Sequence, residues 1–280
     1  MQFIIDDIKY SVNTDLHIHT SFSSNHALSS IEDNVLAARE KGIKTLGISD
    51  HGPGHIFYGT KRKDIPLMRE EIRILNEKYD DIDILLGVEA NIINKNGMLD
   101  VRPDEFAEYD YVIAGYHYGV VGKNPIGSML NHGNNMIRTK MIKTKMVRSK
   151  MAKTNMLRSK AIRPKSKYEN LRLMKRNTTY IVRALENNDI KILTHPGDKA
   201  PVDLLEVAVV CAKTDTLVEI NTWHDSLSAE DLDTMALTDC KFIIGSDAHS
   251  ADRVGDFIGG VRLALKAGID LNRIVNLKVG

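Results

Sequence analysis

Asp15-Leu16-His17-Ile18-His19 reads as a short strand that carries two histidines two residues apart. Residues i and i+2 of a strand share a face, so both imidazoles can reach one metal ion. A buried pair of histidines has little structural use, because each ring demands two hydrogen-bond partners. A single H-x-H is weak evidence. It gains weight because further donors recur at equivalent places along the chain.

Outward from this stretch the pattern is one of strands alternating with helices. Strand one covers about Thr14–His19, and residues 1–10 hold a small leading strand. Ser29-Ser30-Ile31-Glu32 reads as a capping box opening a helix that runs to Lys41, with Gly42 as its stop. Strand two (Lys44–Ser49) ends in Asp50-His51-Gly52, and a helix covers about Pro66–Tyr79. Strand three (Ile82–Val88) ends at Glu89 and strand four (Tyr111–Gly115) at Tyr116-His117. Leu171, Met174, Thr178, Ile181, Val182 and Leu185 mark one face of a later helix. Strand five (Ile190–Thr194) ends at His195, and a helix covers about Val202–Lys213. Strand six (Leu217–Ile220) ends at Asn221, and Ser228 caps a short helix. Strand seven (Lys241–Gly245) ends at Ser246-Asp247-Ala248-His249, before a last helix from about Val254 to Ala267.

Such alternation implies parallel strands joined by right-handed crossovers. His19, His51, Glu89, His117, His195, Asp247 and His249 all lie at or just past strand C-termini, where a β/α barrel assembles its active site. An open doubly wound sheet would not easily converge donors from six of seven strands on one point. The expected fold is therefore α/β, a single distorted (β/α)7 TIM-like barrel spanning residues 1–280. The length and the 42% apolar content suffice for such a core. Cys211 and Cys240 lack metal-like spacing and read as buried core thiols. The first residues lack the basic and apolar regions of a signal peptide, and no apolar run is long enough to span a bilayer. The expected location is the cytoplasm.

Of the 10 histidines, seven (His17, His19, His26, His51, His117, His195 and His249) lie near strand ends or in the loop after strand one. His55 and His132 stand apart, and His224 reads as a surface residue. Any one of the seven alone would be read as a satisfied histidine; together with Glu89 and Asp247 the set indicates a metal site. Nine donors exceed the four that one zinc takes, so about two or three ions are implied. Imidazole with some carboxylate suits Zn, with Mn or Fe as alternatives.

The segments Asp15-Leu16-His17-Ile18-His19-Thr20, Ser49-Asp50-His51-Gly52, Gly87-Val88-Glu89-Ala90-Asn91, Ala114-Gly115-Tyr116-His117, Thr194-His195-Pro196-Gly197 and Gly245-Ser246-Asp247-Ala248-His249 resemble the successive motifs of the PHP (polymerase and histidinol phosphatase) family. The resemblance spans about residues 13–265 and is nearest to the stand-alone bacterial phosphatases with a trinuclear zinc site. It implies that His17, His19, Glu89 and Asp247 hold one ion and His26, His51 and His249 a second. Glu89 would bridge to a third, held also by His117 and His195.

A cluster of divalent ions makes a metal-bound water nucleophilic near neutral pH and neutralises phosphate oxygens, so no protein nucleophile is needed. The sequence offers no G-x-S-x-G, P-loop or dinucleotide-binding glycine motif. Asp15 and Asp50 precede ligand histidines and are read either as acceptors that orient imidazoles or as ordinary strand-end residues. Lys199 and Arg253, each four residues past a ligand histidine, are substrate-phosphate candidates with solvated charge as the plainer reading, and Asn221 is a candidate pocket residue. The leading function is hydrolysis of a small phosphomonoester. Histidinol phosphatase proper, a 3′–5′ exonuclease and a non-catalytic metal-binding module are the alternatives.

One segment departs from this pattern. Residues 136–167 hold 12 of the 38 basic residues and none of the 37 acidic ones, leaving the remainder of the chain at −11. Met136–Lys140, Met141–Lys145, Met146–Lys150, Met151–Asn155, Met156–Lys160 and Ala161–Lys165 are tandem pentapeptides. A period of five advances about 140° per repeat on a helix and alternates faces on a strand, so neither structure gathers the apolar residues. The segment reads as a solvated basic insertion between strands four and five. An inert tandem expansion is the plainer reading, and a nucleic acid or an anionic lipid surface is the candidate partner of a binding role.

Overall fold

The structure, a computed structural model, describes residues 1–23, 26–120, 165–224 and 226–280. All of the basic insertion before Lys165 lies outside the described residues, as does His132. The chain opens with a hairpin, β1 (Gln2–Ile5) and β2 (Ile8–Val12), where one leading strand was expected. The barrel follows: β3 (Thr14–Ile18), α1 (Ile31–Glu40), β4 (Thr45–Ile48), α2 (Ile65–Lys78), β5 (Asp83–Asn91), β6 (Tyr111–Gly115), α3 (Lys165–Asn187), β7 (Ile192–Leu193), α4 (Leu204–Thr214), β8 (Leu217–Asn221), α5 (Ala229–Ala236), β9 (Phe242–Gly245) and α6 (Ile258–Ala267). A last strand, β10 (Leu277–Val279), pairs with β2 to complete a separate three-stranded sheet.

Strands β3 to β9 form one seven-stranded sheet in sequence order, and every pair is parallel. Its two edges meet: His19 N–H donates to the Ala248 carbonyl at 2.9 Å, and a parallel bridge links Ile18 to Ala248. The sheet is thereby nearly closed into the expected barrel. One crossover differs. Between β5 and β6 the chain makes a turn and a 3-10 helix, Pro103–Glu108, in place of an α-helix.

Local signals account for most of the element boundaries. Ser30 caps α1 and Ser228 caps α5, each in a reciprocal box with an Asp three residues on, Asp33 and Asp231. Gly42 follows α1 at φ 71°, a backbone conformation that glycine adopts without strain. Strand β5 runs three residues beyond the expected Val88, because its far half pairs with β6. Strand β7 is only two residues long, since Thr194 and His195 leave the ladder. On α3 Thr178, Ile181 and Leu185 of the expected face are buried, while Leu171 faces solvent and Leu173 is buried.

The barrel interior is plugged below the site by Leu16, Ile113, Ile192, Leu217 and Ile243, with Leu85 and Tyr111 packed against them. Tyr111 crosses the interior and its hydroxyl donates to the Leu16 carbonyl at 2.9 Å. Gly87 makes room for it, since a Cβ there would lie 2.3 Å from the ring. The larger core lies between the sheet and its helices and contains both Cys211 and Cys240, unpaired and fully buried. No helix among the described residues is long and apolar enough to cross a membrane.

Candidate metal centre

Side chains alternate along a strand, so residues an even number of positions beyond the apolar plug point into the same barrel. On β5 Glu89 lies four residues past Leu85, and on β8 Glu219 lies two past Leu217. Above the plug, then, the interior is lined with carboxylates and imidazoles rather than methyl groups.

Glu89 is fully buried and sits at the middle of the cluster. Its Oε1 accepts from Thr194 Oγ1 at 2.9 Å and lies 3.0 Å from His195 Nε2, 3.2 Å from His117 Nε2 and 3.4 Å from His17 Nε2. Its Oε2 lies 2.9 Å from His51 Nδ1, without hydrogen-bond alignment, and 3.7 Å from His19 Nε2. Asp247 forms a second focus. Its Oδ1 is 3.1 Å from His19 Nε2 and 3.5 Å from His17 Nε2. The backbone at Asp247 and at His195 has positive φ, 50° and 26°, which is strained for residues with a Cβ. His195 N–H donates to Glu219 Oε2 at 2.9 Å, and Asn221 Nδ2 to Asp247 Oδ2 at 2.9 Å, which hold both turns in place.

These atoms converge as metal donors do. His17 and His19 bring their Nε2 atoms to 3.2 Å of each other, as do His117 and His195. Donors about 2.05 Å from a tetrahedral zinc are about 3.3 Å apart, and both separations match such a coordination edge. Nitrogens of His19, His26, His51, His117 and His249, together with Glu89 Oε2 and Asp247 Oδ1, are buried without a hydrogen-bond partner. Buried polar atoms left unpaired are costly, and a cation among them removes that cost. The donor set thus fits the ions that its chemistry implies. Among the described residues, five groups of three have donor atoms within 4.8 Å of one another: His19, His51, His249; His17, His19, Asp247; His17, Glu89, His195; His51, Glu89, His117; and His195, His224, Asp247.

His26 belongs to none of these groups and lies at their rim. Its ring stacks on Tyr58 with centroids 4.0 Å apart and meets the His249 ring at 4.3 Å. Burial, then the neighbouring His249 and His51, lower its pKa to about 4. Burial likewise lowers His117 to about 4, with Glu89 opposing. At His17 burial is outweighed by Asp247, Glu219 and Glu89, which raise its pKa well above the usual value.

Glu219 escapes a reading of the sequence by strand ends. It lies within β8 and presents Oε1 to His17 Nδ1 at 2.6 Å, fixing the ring that turns its Nε2 to the cluster. A charged residue inside the run Leu217–Asn221, on the same face as Asn221, was the available signal. The two aspartates divide. Asp15 touches no imidazole side chain: it accepts from the Ser246 and Gly255 backbones at 3.2 and 3.1 Å and ties β3 to the loop after β9. Asp50 accepts from Thr20 N at 2.7 Å and Ser23 Oγ at 2.6 Å, shaping the loop that leads to His26, and stands 3.9 Å from His19 Nδ1.

The cluster opens into a cavity of about 350 Å³ whose wall includes Phe57, Tyr58, Tyr118, Lys199 and Trp223. Lys199 Nζ pairs with Asp198 at 2.5 Å. Arg253 and Asn221 are not among the lining residues. Arg253 pairs with Asp256 at 2.9 Å and lies over the Trp223 ring at 4.6 Å, while the Asn221 amide is engaged by Glu219 and Asp247. His224, read as a surface residue, is instead in the cavity wall, because Asn221 Oδ1 accepts its backbone N–H at 2.7 Å and turns the loop inward.

Comparison with known proteins finds relatives along nearly the whole chain and structural neighbours of the same fold. A probable phosphatase of Shewanella sediminis is 27% identical over 280 residues, covering 96% of this chain and 90% of the relative. One of Serratia proteamaculans is 27% identical over 274 residues, covering 94% and 89%. Among solved structures, the histidinol phosphate phosphatase of Lactococcus lactis, in complex with zinc, L-histidinol and phosphate, superposes with a TM-score of 0.55 at 17% identity, covering 92% of this chain and 94% of that one. The putative histidinol phosphatase of Listeria monocytogenes gives 0.56 at 14% identity, covering 86% and 97%. The family model for the PHP domain matches residues 15–184, more than half of the sequence, and the chain therefore belongs to the PHP domain family.

Proposed function

We propose that this protein is a metal-dependent phosphatase that hydrolyses a small phosphomonoester. The observation that carries the reading is the convergence of imidazole and carboxylate donors at coordination-edge distances inside the mouth of the barrel. His17, His19, Glu89 and Asp247 would hold one ion and His26, His51 and His249 a second. Glu89, His117 and His195 would hold a third. Zinc suits the donor set best, and the zinc in the Lactococcus lactis neighbour supports that choice. When bound, the ions would supply Lewis-acid stabilisation of phosphate oxygens and a nucleophile derived from water.

The chain's own residues set the stage. Glu219 orients His17, and Asn221 together with the strained turn at Asp247 aims that carboxylate. Lys199 places an ammonium in the cavity wall, positioned by Asp198, where it can meet a phosphate oxygen. The cavity volume of about 350 Å³ suits a small ester rather than a polynucleotide strand. The complete donor set argues against a binding module without catalysis. Relatives named as probable phosphatases support the reaction class.

The test is elemental analysis of the metal-replete protein together with hydrolysis of an aryl phosphate ester and of histidinol phosphate. About two to three zinc ions per chain and chelator-sensitive hydrolysis are expected. One ion or none would overturn the reading. Preference for histidinol phosphate over other esters would identify the substrate.

A further inference from the structure

His224 lies outside the donor set that the sequence motifs supply, yet the loop after β8 brings it to that set. Its side chain is 24% exposed, and its Nε2 lies 3.5 Å from Asp247 Oδ2. Its ring meets the His195 ring edge-on with centroids 5.0 Å apart. The donor atoms of His195, His224 and Asp247 lie within 4.8 Å of one another, as in the other four groups.

The two nitrogens of the His224 ring have different surroundings. Nδ1 faces the carboxylate of Asp198 at 3.4 Å. Asp198 is buried and sits three residues past His195, its N–H bonded to the His195 carbonyl at 3.2 Å. A carboxylate opposite Nδ1 favours the tautomer that carries its proton there. Nε2 then presents a lone pair to a second carboxylate, Asp247. Two acceptors facing at 3.5 Å repel each other, and a cation between them turns the repulsion into coordination. The separation matches the 3.5 Å between His17 Nε2 and Asp247 Oδ1 on the other side of the same carboxylate. Carboxylate, imidazole and metal in line is a common way to fix a ligand histidine.

We propose that His224 is a further donor to the metal centre, on the side formed by His195 and Asp247, with Asp198 as the carboxylate that orients its ring. The proposal rests on the metal-dependent reading of the site. It adds a donor from strand six, where the motifs offered only Asn221, and it gives Asp198 a role beyond pairing with Lys199.

The experiment uses the full chain loaded with zinc, and a parallel sample loaded with cobalt(II). Wild type, His224→Ala, His224→Gln and Asp198→Asn are compared by elemental analysis, chelator competition and the visible absorption of the cobalt form. Circular dichroism checks folding, and the conservative His224→Gln keeps the test usable should the alanine variant fold poorly. In both His224 variants the chelator concentration that removes the most labile ion should fall about tenfold or more, and the cobalt band should change in intensity. Asp198→Asn should shift chelator resistance in the same direction by less. Unchanged chelator resistance and an unchanged cobalt spectrum in folded His224 variants would overturn the proposal. So would a raised KM with metal binding intact, which would make His224 a substrate contact. A wild-type protein that takes up no metal would instead overturn the underlying reading of the site.

Discussion

Glu89→Gln exchanges one carboxylate oxygen for an amide nitrogen at the point where five imidazoles face a single side chain. An amide offers one acceptor in place of two, and it carries no charge to offset that of bound cations. Phosphatase activity should fall at least about a hundredfold, with loss of bound metal, since even residues behind the ligands cost 10–100-fold. The exposed Glu108 should tolerate the same change. Near-normal hydrolysis by Glu89→Gln would contradict the assignment. Glu219→Gln should cost less, about 10–100-fold in metal affinity by chelator competition, because it acts through His17 and the His195 backbone. Protons follow from the same geometry. Although burial opposes it at both, carboxylates raise the pKa of His17 well above its usual value, and Glu89 raises that of His195. The carboxylates thus favour the protonated form of both rings in the metal-free protein, and a ring must give up the proton on its ligating nitrogen to bind metal. Metal uptake near neutral pH should therefore release protons. Calorimetric titration in buffers of different ionisation enthalpy reads this directly, and a heat independent of buffer would contradict it.

At the scale of elements, the loops differ in how firmly they hold their donors. The segment 52–60 is anchored by Ile56 N–H to the Gly119 carbonyl at 3.0 Å and by Tyr58 N–H to His55 Nδ1 at 3.1 Å. It presents Tyr58 between two imidazoles, 4.0 Å from His26 and 4.5 Å from His55. His26 Nδ1 has no hydrogen-bond partner, so stacking is what positions this ring. Tyr58→Phe keeps the stack, and metal content should stay at the wild-type level. Tyr58→Leu removes the stack at similar volume, and one ion should become readily removable by chelator while the others stay bound. Equal chelator resistance in the two variants would show that the stack does not hold His26. Signals carried within a few residues were legible in the sequence at this scale. Ser30 and Ser228 cap helices because the bonds they make reach only three residues ahead. The length of β5 and the shortness of β7 were not, because ladder pairing between distant segments decides them.

For the molecule as a whole, the basic insertion is the segment whose relation to the barrel matters most. Strands β6 and β7 flank it in sequence, yet they pair directly, Ile113 with Ile192 and Ala114 with Leu193. The seven described strands therefore form one continuous ladder across that point of the sequence. Loop closure depends weakly on length, by about 0.6 kcal/mol per halving. Deleting Met136 to Lys160 should leave metal content, hydrolysis of small esters and the melting temperature nearly unchanged. It should also abolish any salt-dependent binding to RNA, DNA or anionic vesicles that the intact chain displays. A fall of tens of degrees in melting temperature, or loss of metal, would make the segment part of the structure.

Seven alternating strands, and donors placed at their ends, follow from the sequence because strand periodicity and local turn residues are properties of neighbours in the chain. His17, His19, His51, Glu89, His117, His195, Asp247 and His249 could therefore be named in advance as candidates, and the structure gathers them in one cluster. Which donors approach one another depends on tertiary structure, because the pairs lie far apart in sequence. Glu219 meets His17 across 202 residues, and Asp15 ties to Gly255 across 240. A charge inside the apolar run Leu217–Asn221 marks Glu219 as unusual, but no local pattern names the histidine it meets. The same holds for His224 and Arg253. Asn221 turns one inward to the cavity, while Asp256 and Trp223 hold the other away from it, and only the closed barrel sets those neighbours.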